Sequence, residues 1–472
     1  MNTKSVTFTY LILFICMLSI KGIQAQDLQV RELVDSVFVI TDNKSGDGQV
    51  VIVSAKGLVV LSSFSSPSTA AKFRKAIAEH LKRDDFCYLI DMVDRVDEFW
   101  GNAAYKDIPI IAHRALWDKY RGNKETARGE IRGLTDMWRE KENDSRERLK
   151  NAKPGSESAI RDQQWLESCK QRADELESEF SLVLPTEIYQ DRMALDLGDI
   201  TLNLIWFGKT EYAGPTAIII PERKLAILRG LHPQHLAPCP GPGFIRCDVP
   251  RWISVLEEML EGEKAVDHVL CGTYCTDLWS RDRAHTHLHY IRELWNKVSK
   301  AEADGMALDE IQKLYSFDDS FAYIKNMQCY IDYGDGWIRP QHSMHIRQFF
   351  LQHKNLASEL IVNAGIDSLD AVFAHIRKLI DEGDDIYIDE ISLTGAGFDL
   401  MNKGKIPEAV AAFKFNVETY PQSPNVYEFY AGALKTNGDI ENAIKNYKKS
   451  LELNPDNGHA RKMIEDLEKQ QH

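Results

Sequence analysis

Alternating apolar and polar residues mark the first part of the chain and predict strands at residues 28–41, 50–54 and 58–63. A helical spacing follows, because Ala70, Phe73 and Ile77 fall on one face of residues 69–81. Two further β-rich segments are predicted at residues 87–90 and 108–112. Strands, a helix and more strands in this order indicate an α/β domain.

An acidic loop separates the last two of these strands. It carries Asp91, Asp94, Asp97 and Glu98, and a short helix entering at Gly101-Asn102 follows it. A loop after a buried strand is where α/β proteins often place binding or catalytic groups. The alternative is a solvated acidic turn.

Residues 118–182 have a different character, since Glu, Lys and Arg dominate and apolar positions are few. They predict two charged helices forming a hairpin, an insertion that stands off the domain. A solvated helical excursion and a coiled-coil-like partner site are the two roles that this composition allows.

The strand pattern returns in the second part of the chain. It predicts strands at residues 193–205, 217–220, 225–228 and 268–270, and helices at 252–260 and 283–301. These elements repeat those of the first half. Two such halves packed sheet on sheet, with helices outside, make a four-layer αββα sandwich.

The rest of the chain is predicted to be helical, with residues 305–388 as a linker. Beyond it, small, aromatic and proline positions recur at a spacing of 34 residues: Gly397, Gly404, Ala409, Phe413 and Pro421 are matched by Ala431, Gly438, Ala443, Tyr447 and Pro455. This period resembles the tetratricopeptide repeat. The resemblance implies two repeats and a capping helix within residues 389–472 that bind a protein or peptide partner. Two repeats bury little surface alone, so they should pack on the preceding helices.

The N-terminus has the pattern of a secretory signal at residues 1–25, with Lys4 before an apolar run and Ala25 at the expected cleavage point. The run is too short to span a bilayer comfortably, and no other segment resembles a membrane span. We therefore expect an exported protein, periplasmic or extracellular. The chain has 472 residues and a formal charge of −14, which argues against nucleic acid as a partner.

Eight cysteines are present. In an oxidising compartment Cys239 and Cys247 could close the loop PCPGPGFIRC, and Cys271 and Cys275 lie nearby in CGTYC. A four-cysteine zinc site is the alternative, although the spacings are unusual for one. Ordinary buried thiols or one disulfide are the expected arrangement.

Several local patterns, in order, resemble the metallo-β-lactamase fold over residues 27–304. They are GLVVLSS before a helix, YLID, GNAAYKDIPIIAH, GDITLNLIWFG, AGPTAIIIPERKLAIL and DHVLCG. In that family seven residues hold one or two zinc ions. The resemblance puts these positions at Val93, Arg95, Asp97, Glu98, Glu211, Gly230 and Thr273, and only Asp97 keeps the family's residue type.

The substitutions argue against zinc chemistry at this site. Hydrolytic zinc needs imidazole or carboxylate ligands and an open position for water. Val93 cannot ligate a metal, and Arg95 brings a fixed positive charge. We therefore expect no metal cofactor. If the fold is kept, Arg95, Asp97, Glu98 and Glu211 should converge, with Arg95 paired to Glu211 or Asp97.

Three alternatives remain open at the sequence level. Asp97, Glu98 and Glu211 could hold Ca²⁺ or Mg²⁺, and zinc or another divalent cation stays a secondary expectation. His285 and His289 are one helical turn apart and could bind a metal, although exposed helix histidines are the simpler interpretation. The sequence has no other catalytic motif, such as a Walker loop or a Gly-x-Ser-x-Gly turn.

Two functions are compatible with these observations. The first is an exported, catalytically inactive binding or scaffolding protein that combines the degenerate domain with the repeats. The second is a hydrolase of the metallo-β-lactamase superfamily with a reorganised, carboxylate-rich site. Fold alone does not decide between them.

Overall fold

A computed structural model provides the architecture. It describes residues 28–42, 48–63, 66–122, 124–178, 182–210, 212–229, 235–238, 247–271, 277–384 and 386–470. The predicted signal at residues 1–25 lies outside this part of the chain.

The first half forms a seven-stranded mixed sheet whose strands lie in chain order. Its strands are β1 (Leu28–Val34), β2 (Val37–Asp42), β3 (Gly48–Ser54), β4 (Gly57–Leu61), β5 (Phe86–Asp91), β6 (Ile110–His113) and β7 (Glu187–Tyr189). Strands β1 to β4 pair antiparallel, whereas β4 to β7 pair parallel. The carboxyl ends of β4, β5 and β6 therefore share one edge of the sheet.

The second half forms a six-stranded mixed sheet in the order β13-β12-β11-β10-β9-β8. Its strands are β8 (Arg192–Asp196), β9 (Thr201–Trp206), β10 (Thr216–Ile220), β11 (Leu225–Leu228), β12 (His268–Cys271) and β13 (Asp277–Ser280). Only β11 and β12 pair parallel. The short strands β7 and β13 were missed in the sequence, since three or four residues carry too little pattern.

In the part of the chain that the structure describes, seven α-helices accompany the sheets. They are α1 (Pro67–Leu81), α2 (Val96–Phe99), α3 (Arg114–Tyr120), α4 (Lys124–Asn151), α5 (Glu157–Ser178), α6 (Val249–Leu260) and α7 (Arg281–Ala303). Helix α1 illustrates how the local sequence sets its limits. The Ser66 hydroxyl accepts a hydrogen bond from the Thr69 amide at 3.1 Å, and Lys82 ends the helix in the left-handed conformation.

The two sheets share a core. Val50, Ile52 and Ile90 of the first sheet pack with Leu204 and Ile218 of the second, in one cluster of fully buried side chains. A hydrogen bond of 2.8 Å from the Thr216 amide to the Met92 carbonyl also joins the sheets. Each buried aliphatic side chain of this size contributes about 1.5–3 kcal/mol, so this cluster is a main source of the domain's stability.

Helices cover the outer faces of both sheets. On the first sheet, Phe73 and Ile77 of α1 pack against Val60 and Leu89. On the second, Trp252 of α6 belongs to a large cluster that also contains α7 residues. The sequence pattern predicted such an apolar face for α1, with Ala70, Phe73 and Ile77 at positions i, i+3 and i+7.

The predicted charged hairpin is formed by α4 and α5, which lie antiparallel. Arg139 pairs with Glu177 and Arg148 with Asp162. Contrary to the expectation of an insertion that stands off the domain, one end of the hairpin is packed against the domain. Ala127, Ile131 and Trp138 are buried in one cluster with the α2 and α3 side chains Val96, Phe99, Leu116 and Tyr120. Few apolar residues suffice for this docking, because they are grouped at one end of the hairpin.

In its described residues, the segment predicted as a linker forms two 3-10 helices, Ala322–Asn326 and Ile366–Ser368, and six α-helices: α8 (Leu308–Leu314), α9 (Phe317–Ser320), α10 (Gln328–Tyr333), α11 (Asp335–Leu351), α12 (Ala357–Asn363) and α13 (Leu369–Glu382). The side chains of this segment pack into two separate hydrophobic clusters. Ile311, Ile338 and Phe349 join the cluster around α6 and α7, whereas Ile361 and Phe373 join the core of the C-terminal helices.

The C-terminal part is helical, with α14 (Glu390–Asn402), α15 (Ile406–Thr419), α16 (Pro424–Thr436), α17 (Ile440–Leu453) and α18 (Gly458–Gln470). Gly404 and Gly438 follow α14 and α16 with φ of 71° and 84°, which favours glycine there. The preceding helices pack against this region as expected. The ring of Phe373 of α13 stacks on that of Phe415 of α15, with 4.5 Å between the ring centroids. Arg347 of α11 also forms an ion pair of 2.7 Å with Asp389, the N-cap of α14.

Among the described residues, no helix combines the length and apolar character that crossing a bilayer requires.

Candidate functional site

The loops that follow β4, β5 and β6 meet at one edge of the first sheet and are joined by hydrogen bonds. Asn102 connects them: it accepts a bond of 2.6 Å from the Ser63 hydroxyl and donates one of 2.8 Å to the Asp91 carboxylate. Its side-chain amide also donates to the Val183 carbonyl at 3.1 Å. Asn102 is fully buried. It therefore fixes the start and the end of the acidic loop relative to the sheet.

Only glycine fits at position 101, because the space around its Cα is too small for a side chain. A Cβ at this position would collide with the backbone carbonyl of Ser63 and lie 2.7 Å from the Cβ of Ala70. The 3-10 helix Trp100–Tyr105 can approach β4 and α1 only because residue 101 has no side chain. The Gly-Asn pair in the sequence thus marks a close backbone contact beside the site.

The acidic loop is largely buried, so the solvated-turn interpretation of it is wrong. Asp91 and Asp94 are 2% and 5% exposed. Asp94 accepts a hydrogen bond of 2.9 Å from the Gly214 amide of the second sheet's loop, and its backbone carbonyl accepts bonds from Lys119 at 2.9 Å and Tyr120 at 3.2 Å. Asp94 therefore ties together the two sheets and the base of the hairpin.

Arg95 and Asp97 form an ion pair at the start of α2. The guanidinium donates through Nε to Asp97 Oδ1 at 2.7 Å and through a second nitrogen to Oδ2, a bidentate arrangement. Asp97 was one of the two partners expected for Arg95, and the other, Glu211, lies outside the described residues. The Arg95 side chain remains 44% exposed and faces a cavity described below.

Glu98 has a different partner, one that the sequence did not suggest. Its carboxylate accepts a hydrogen bond from the guanidinium of Arg229, which directly follows β11. Both residues are buried, with exposures of 9% and 6%. Burial raises the pKa of Glu98, while the positive charge of Arg229 opposes that rise. Glu98 does not line the cavity that Arg95 and Asp97 face, but the charges of both residues act on its pKa, so the three side chains lie near one another as expected.

Asp91 is a buried acid in the same region. Its Oδ2 accepts the hydrogen bond from Asn102, whereas its Oδ1 is buried without a hydrogen-bond partner within the described part of the chain. Burial raises its pKa to about 8; the Asn102 bond opposes this and the Glu98 charge adds to it. Asp91 is therefore held as the neutral acid at neutral pH.

The described ligand positions do not fit a zinc ion. Val93 is buried and has no donor atom. Asp97 and Glu98 each direct their carboxylate to a guanidinium, so a cation there would have to displace an arginine and overcome its charge. Glu211, Gly230 and Thr273 lie outside the described residues. Within the described ranges, no three His, Cys, Asp or Glu side chains are grouped as metal ligands.

A cavity of about 930 Å³ opens beside the Arg95–Asp97 pair. Four parts of the chain form its walls: the acidic loop with α3, the hairpin helix α4, the residues Lys209, Tyr212 and Ala213, and helices α12 and α14 with the turn after α14. We call this space the junction cavity. The hairpin therefore forms one side of the region that contains Arg95 and Asp97.

The hairpin and the C-terminal helices meet at the junction cavity. A Cβ on Gly129 of α4 would lie 3.6 Å from the Cα of Gly404, an ordinary van der Waals distance. Thr126, Glu130 and Leu134 of α4 face the cavity from one side. Asp399 of α14 and Lys403, the C-cap of that helix, face it from the other. The cavity therefore exists only where the two helical parts come together over the sheet domain.

The two histidines that the sequence singled out, His285 and His289, have separate partners, and His113 at the end of β6 also lies apart from them. His113 is packed: it stacks on Trp206, its Nε2 faces the Gln190 carbonyl at 2.6 Å, and burial lowers its pKa. His285 faces the Leu260 carbonyl at 3.0 Å. His289 is instead largely exposed, 3.6 Å from Glu293. His285 and His289 therefore fit the interpretation as helix histidines better than the interpretation as a metal-binding pair.

The cysteine predictions remain open. Cys239 and Cys275 lie outside the described residues, so neither the loop disulfide nor the four-cysteine zinc site can be assessed. Cys169 and Cys329 are buried thiols, and burial raises the pKa of both.

Sequence reasoning missed several residues of this region. Arg229 could have been suspected only from its place one residue before the expected ligand position 230. Ser358, which lines the junction cavity, lies in a helical segment with no motif near it. Lys405, which also lines the cavity, is the N-cap of α15 and follows the repeat position Gly404, but the repeat pattern concerns helix packing and does not point to a cavity. Their contribution depends on tertiary packing.

Comparison with known proteins gives only distant structural likenesses. No protein-family model and no curated protein matches the sequence. Among solved structures, the chain is similar to the stereoselective inverting sec-alkylsulfatase Pisa1 from Pseudomonas sp., with a TM-score of 0.44, 13% identity and coverage of 93% of this chain and 64% of that chain. A double mutant of that sulfatase gives a TM-score of 0.45 at 14% identity, covering 87% and 62%.

A third likeness covers a smaller share of the chain. The metallo-β-lactamase from Pontibacter korlensis has a TM-score of 0.35 and 12% identity, covering 56% of this chain and 99% of that chain. The present chain spans less than two thirds of the length of the sulfatase structures.

Proposed function

We propose that this protein is a binding or scaffolding protein in which a metallo-β-lactamase-like domain has lost the zinc hydrolase site. The observation that carries the proposal is the pair of ion pairs Arg95–Asp97 and Arg229–Glu98. Two guanidinium groups take up the carboxylates at the expected ligand positions, and Val93 supplies no donor.

The proposed architecture is the four-layer αββα sandwich. It is supported by the order of elements, by the core between the sheets, and by α1 on one outer face and α6 on the other. We place this domain at residues 27–304, including the charged insertion.

The energetic argument concerns the arginines. A buried carboxylate is stable when it is paired and hydrogen-bonded, and the Glu98–Arg229 pair meets that condition without a metal. For a cation to bind Glu98, Arg229 would have to leave and be solvated elsewhere. The site thus favours a stable internal salt bridge over an exchangeable metal.

The C-terminal helices supply the proposed interaction module, two tetratricopeptide repeats at residues 389–472 that bind a protein or peptide. Support comes from the matched positions. Gly404 and Gly438 have the same backbone conformation at equivalent turns. Phe413 and Tyr447, equivalent aromatic positions, are both buried between neighbouring helices.

We further propose that the protein is exported, since residues 1–25 have the pattern of a secretory signal. N-terminal sequencing of the protein from its native source tests this proposal. A mature chain beginning at Gln26 or Asp27 is expected, and a chain retaining Lys4 would contradict it.

The metal content of the purified protein tests the loss of the hydrolase site. The protein is incubated with Zn²⁺, Ca²⁺ and Mg²⁺ in turn, dialysed, and measured by elemental mass spectrometry. We expect no retained equivalent in the wild type or in the variants Asp97→Asn, Glu98→Gln and Glu211→Gln.

One retained equivalent that is lost in those variants would overturn the proposal. It would favour the alternative, a hydrolase with a reorganised carboxylate site, and assays with lactam, ester and sulfate-ester substrates would then follow. A metal that is retained in all three variants would instead be traced with His285→Ala and with cysteine variants, and would leave the proposal standing.

A further inference from the structure

Two histidines and a tyrosine form a hydrogen-bonded cluster between α7 and α11. The hydroxyl oxygen of Tyr290, on α7, lies 3.1 Å from Nδ1 of His342 and 3.1 Å from Nδ1 of His345, both on α11. Nε2 of His342 lies 2.9 Å from the backbone carbonyl oxygen of Tyr315. All three side chains of the cluster are buried. They therefore link two helices inside a hydrophobic core.

The Tyr315 carbonyl determines where each proton of the cluster lies. A carbonyl oxygen only accepts, so Nε2 of His342 carries a proton, and Nδ1 of the neutral ring accepts the hydroxyl proton of Tyr290. A tyrosine hydroxyl has one proton to donate. Nδ1 of His345 therefore donates to the Tyr290 oxygen, and Nε2 of the neutral His345 ring keeps a lone pair.

The cluster has no place for a further proton. Nε2 of His345 is buried and has no hydrogen-bond partner in the part of the chain that the structure describes. A proton added there gives an N–H without an acceptor. A proton added to Nδ1 of His342 reverses both bonds to the Tyr290 hydroxyl, and the neutral His345 ring must then carry its proton on Nε2. Either route ends in a buried cation and an unsatisfied N–H, and both are costly.

The surroundings of His345 do not compensate a positive charge. Burial lowers the pKa of His345 from 6.5 to about 3, and the charges of His342 on the same helix and of His235 in the segment before α6 act in the same direction. The Tyr290 hydroxyl faces His345 from α7, and the Phe349 ring stacks on it from α11. Ion pairs on the elements around the cluster have their carboxylates already engaged: Glu293 with Lys297, Asp318 with Arg339, and Asp389 with Arg347.

The cluster lies where α11 is attached to the two-sheet part of the chain. Phe349 of α11 also packs on Trp295 of α7, with 5.7 Å between the ring centroids. Two residues beyond His345, Arg347 forms its ion pair with Asp389, the N-cap of α14. Helix α11 thus connects α7 to the C-terminal helices, and a change at His345 acts on this connection.

We propose that Tyr290, His342 and His345 form an acid-sensitive latch that attaches α11 to α7. One proton taken up by the latch breaks its order of hydrogen bonds and releases α11, and with it the attachment of the C-terminal helices, while the first sheet stays folded. This conformational device goes beyond the binding role proposed above and does not depend on it, since its residues are not those of the expected ligand positions.

The direction of the pH effect follows from the closed and open states. An imidazole released into water takes up a proton below about pH 6.5, whereas the closed latch excludes it down to about pH 3. The contribution of the latch to stability is therefore complete above about pH 6.5 and is lost as the pH falls. The equilibrium constant for opening should rise roughly fiftyfold from pH 6.5 to pH 4.5.

Hydrogen exchange of the full chain at pH 6.5 and pH 4.5, divided by the intrinsic exchange rate at each pH, tests the latch. We expect the protection of α7 and α11 to fall roughly fiftyfold between the two pH values, and that of β3 to β5 to change much less. In His345→Phe, which keeps a ring beside Phe349, the fall should be at least fivefold smaller. Asp91 and other groups titrate in both proteins and cancel in the comparison.

His353→Phe is the matched control. His353 is exposed, and its ring packs on Trp295 with 5.1 Å between the centroids, a contact that phenylalanine can keep. This variant should show the same pH effect as the wild type. If His345→Phe does not fold, imidazole ¹⁵N NMR of the wild type tests the proton positions directly. We expect Nδ1 of His345 to be protonated and Nε2 to be unprotonated at pH 7, with the signals assigned through His345→Gln.

Any of four outcomes would overturn the proposal. They are an equal fall in protection in the wild type and His345→Phe, an equal fall in the first sheet and in α11, a pH effect that His353→Phe reduces as much as His345→Phe does, and a proton on Nε2 of His345 at pH 7.

Discussion

Glu98 and Arg229 are 131 residues apart in sequence, yet their side chains form a buried ion pair. Glu98 belongs to α2, after a strand of the first sheet, and Arg229 follows a strand of the second. The pair therefore joins the two halves of the domain at the place where the resemblance would put a metal. It also makes a specific energetic prediction.

Arg229→Met should lower the free energy of unfolding by about 3–5 kcal/mol, because it leaves the Glu98 charge buried without its partner. The double variant Glu98→Leu, Arg229→Met should recover much of that loss, since neither charge remains. Urea unfolding followed by circular dichroism measures both. Arg192→Met is the control, as its pair with Glu258 is exposed and should contribute about 0–1 kcal/mol. Similar losses in the control and in Arg229→Met would contradict the buried-pair account.

Asp91 should make stability depend on pH. Its pKa is raised from 3.8 to about 8 in the folded protein, so the folded state holds a proton that the unfolded state releases. Its contribution to stability is complete below about pH 4 and is lost as the pH rises to about 8. In Asp91→Asn the side chain at position 91 cannot ionise, so its contribution to stability does not fall as the pH rises.

The measurement compares urea midpoints of the wild type and Asp91→Asn from pH 5 to pH 9. We expect the urea midpoint of Asp91→Asn to rise relative to that of the wild type as the pH increases. Above pH 8 the difference between the two midpoints should stay constant. Other groups titrate equally in both proteins and cancel in the comparison. Parallel curves across this range would mean that Asp91 titrates near its ordinary pKa.

Gly101→Ala should destabilise the domain, because the added methyl group collides with the Ser63 carbonyl and with Ala70. Backbone on one side and a buried helix on the other leave little freedom to adjust, so a loss of at least about 1–3 kcal/mol is expected. Gly133→Ala of α4 is the matched control. Nothing lies within 4 Å of its Cβ, and alanine is the better helix former by about 1 kcal/mol. In thermal unfolding, Gly101→Ala should have a lower melting temperature than the wild type, and Gly133→Ala should have a higher one.

Gly397→Ala should loosen the C-terminal helices. A Cβ at Gly397 would lie 2.5 Å from the ring of Phe413, which is fully buried. The expected cost is about 1–3 kcal/mol. Gly432→Ala tests the same change where the nearest atom, the Tyr447 hydroxyl, is 3.7 Å away, and it should be neutral or stabilising. Hydrogen exchange of α14 and α15 would locate the effect, and equal exchange in both variants would contradict it.

Most elements of the fold followed from local pattern. The spacing of Ala70, Phe73 and Ile77 predicted α1, and all three are buried. The pair Arg95–Asp97 was also within reach, because its members are two residues apart at a helix start. Such features depend on neighbours in sequence.

The remaining features depend on which distant segments meet. Arg229 gives no sign in the sequence that it will face Glu98, and the docking of α4 on α2 depends on a few residues such as Ile131 and Trp138. The junction cavity combines residues from four segments, including Ser358 and Lys405. No local pattern encodes such a combination, since each residue alone is ordinary for its helix or turn.

The hairpin also bears on how the chain folds. Strands β6 and β7 pair parallel, as in Ala112 with Ile188, but residues 114–186 separate them. Closing a flexible loop of that length before any contact forms is entropically costly. Helices α4 and α5 are held by contacts close in sequence, such as Arg148–Asp162 near the tip, and can form early. Once formed, they bring the ends of β6 and β7 together, so the hairpin shortens the search that completes the edge of the first sheet.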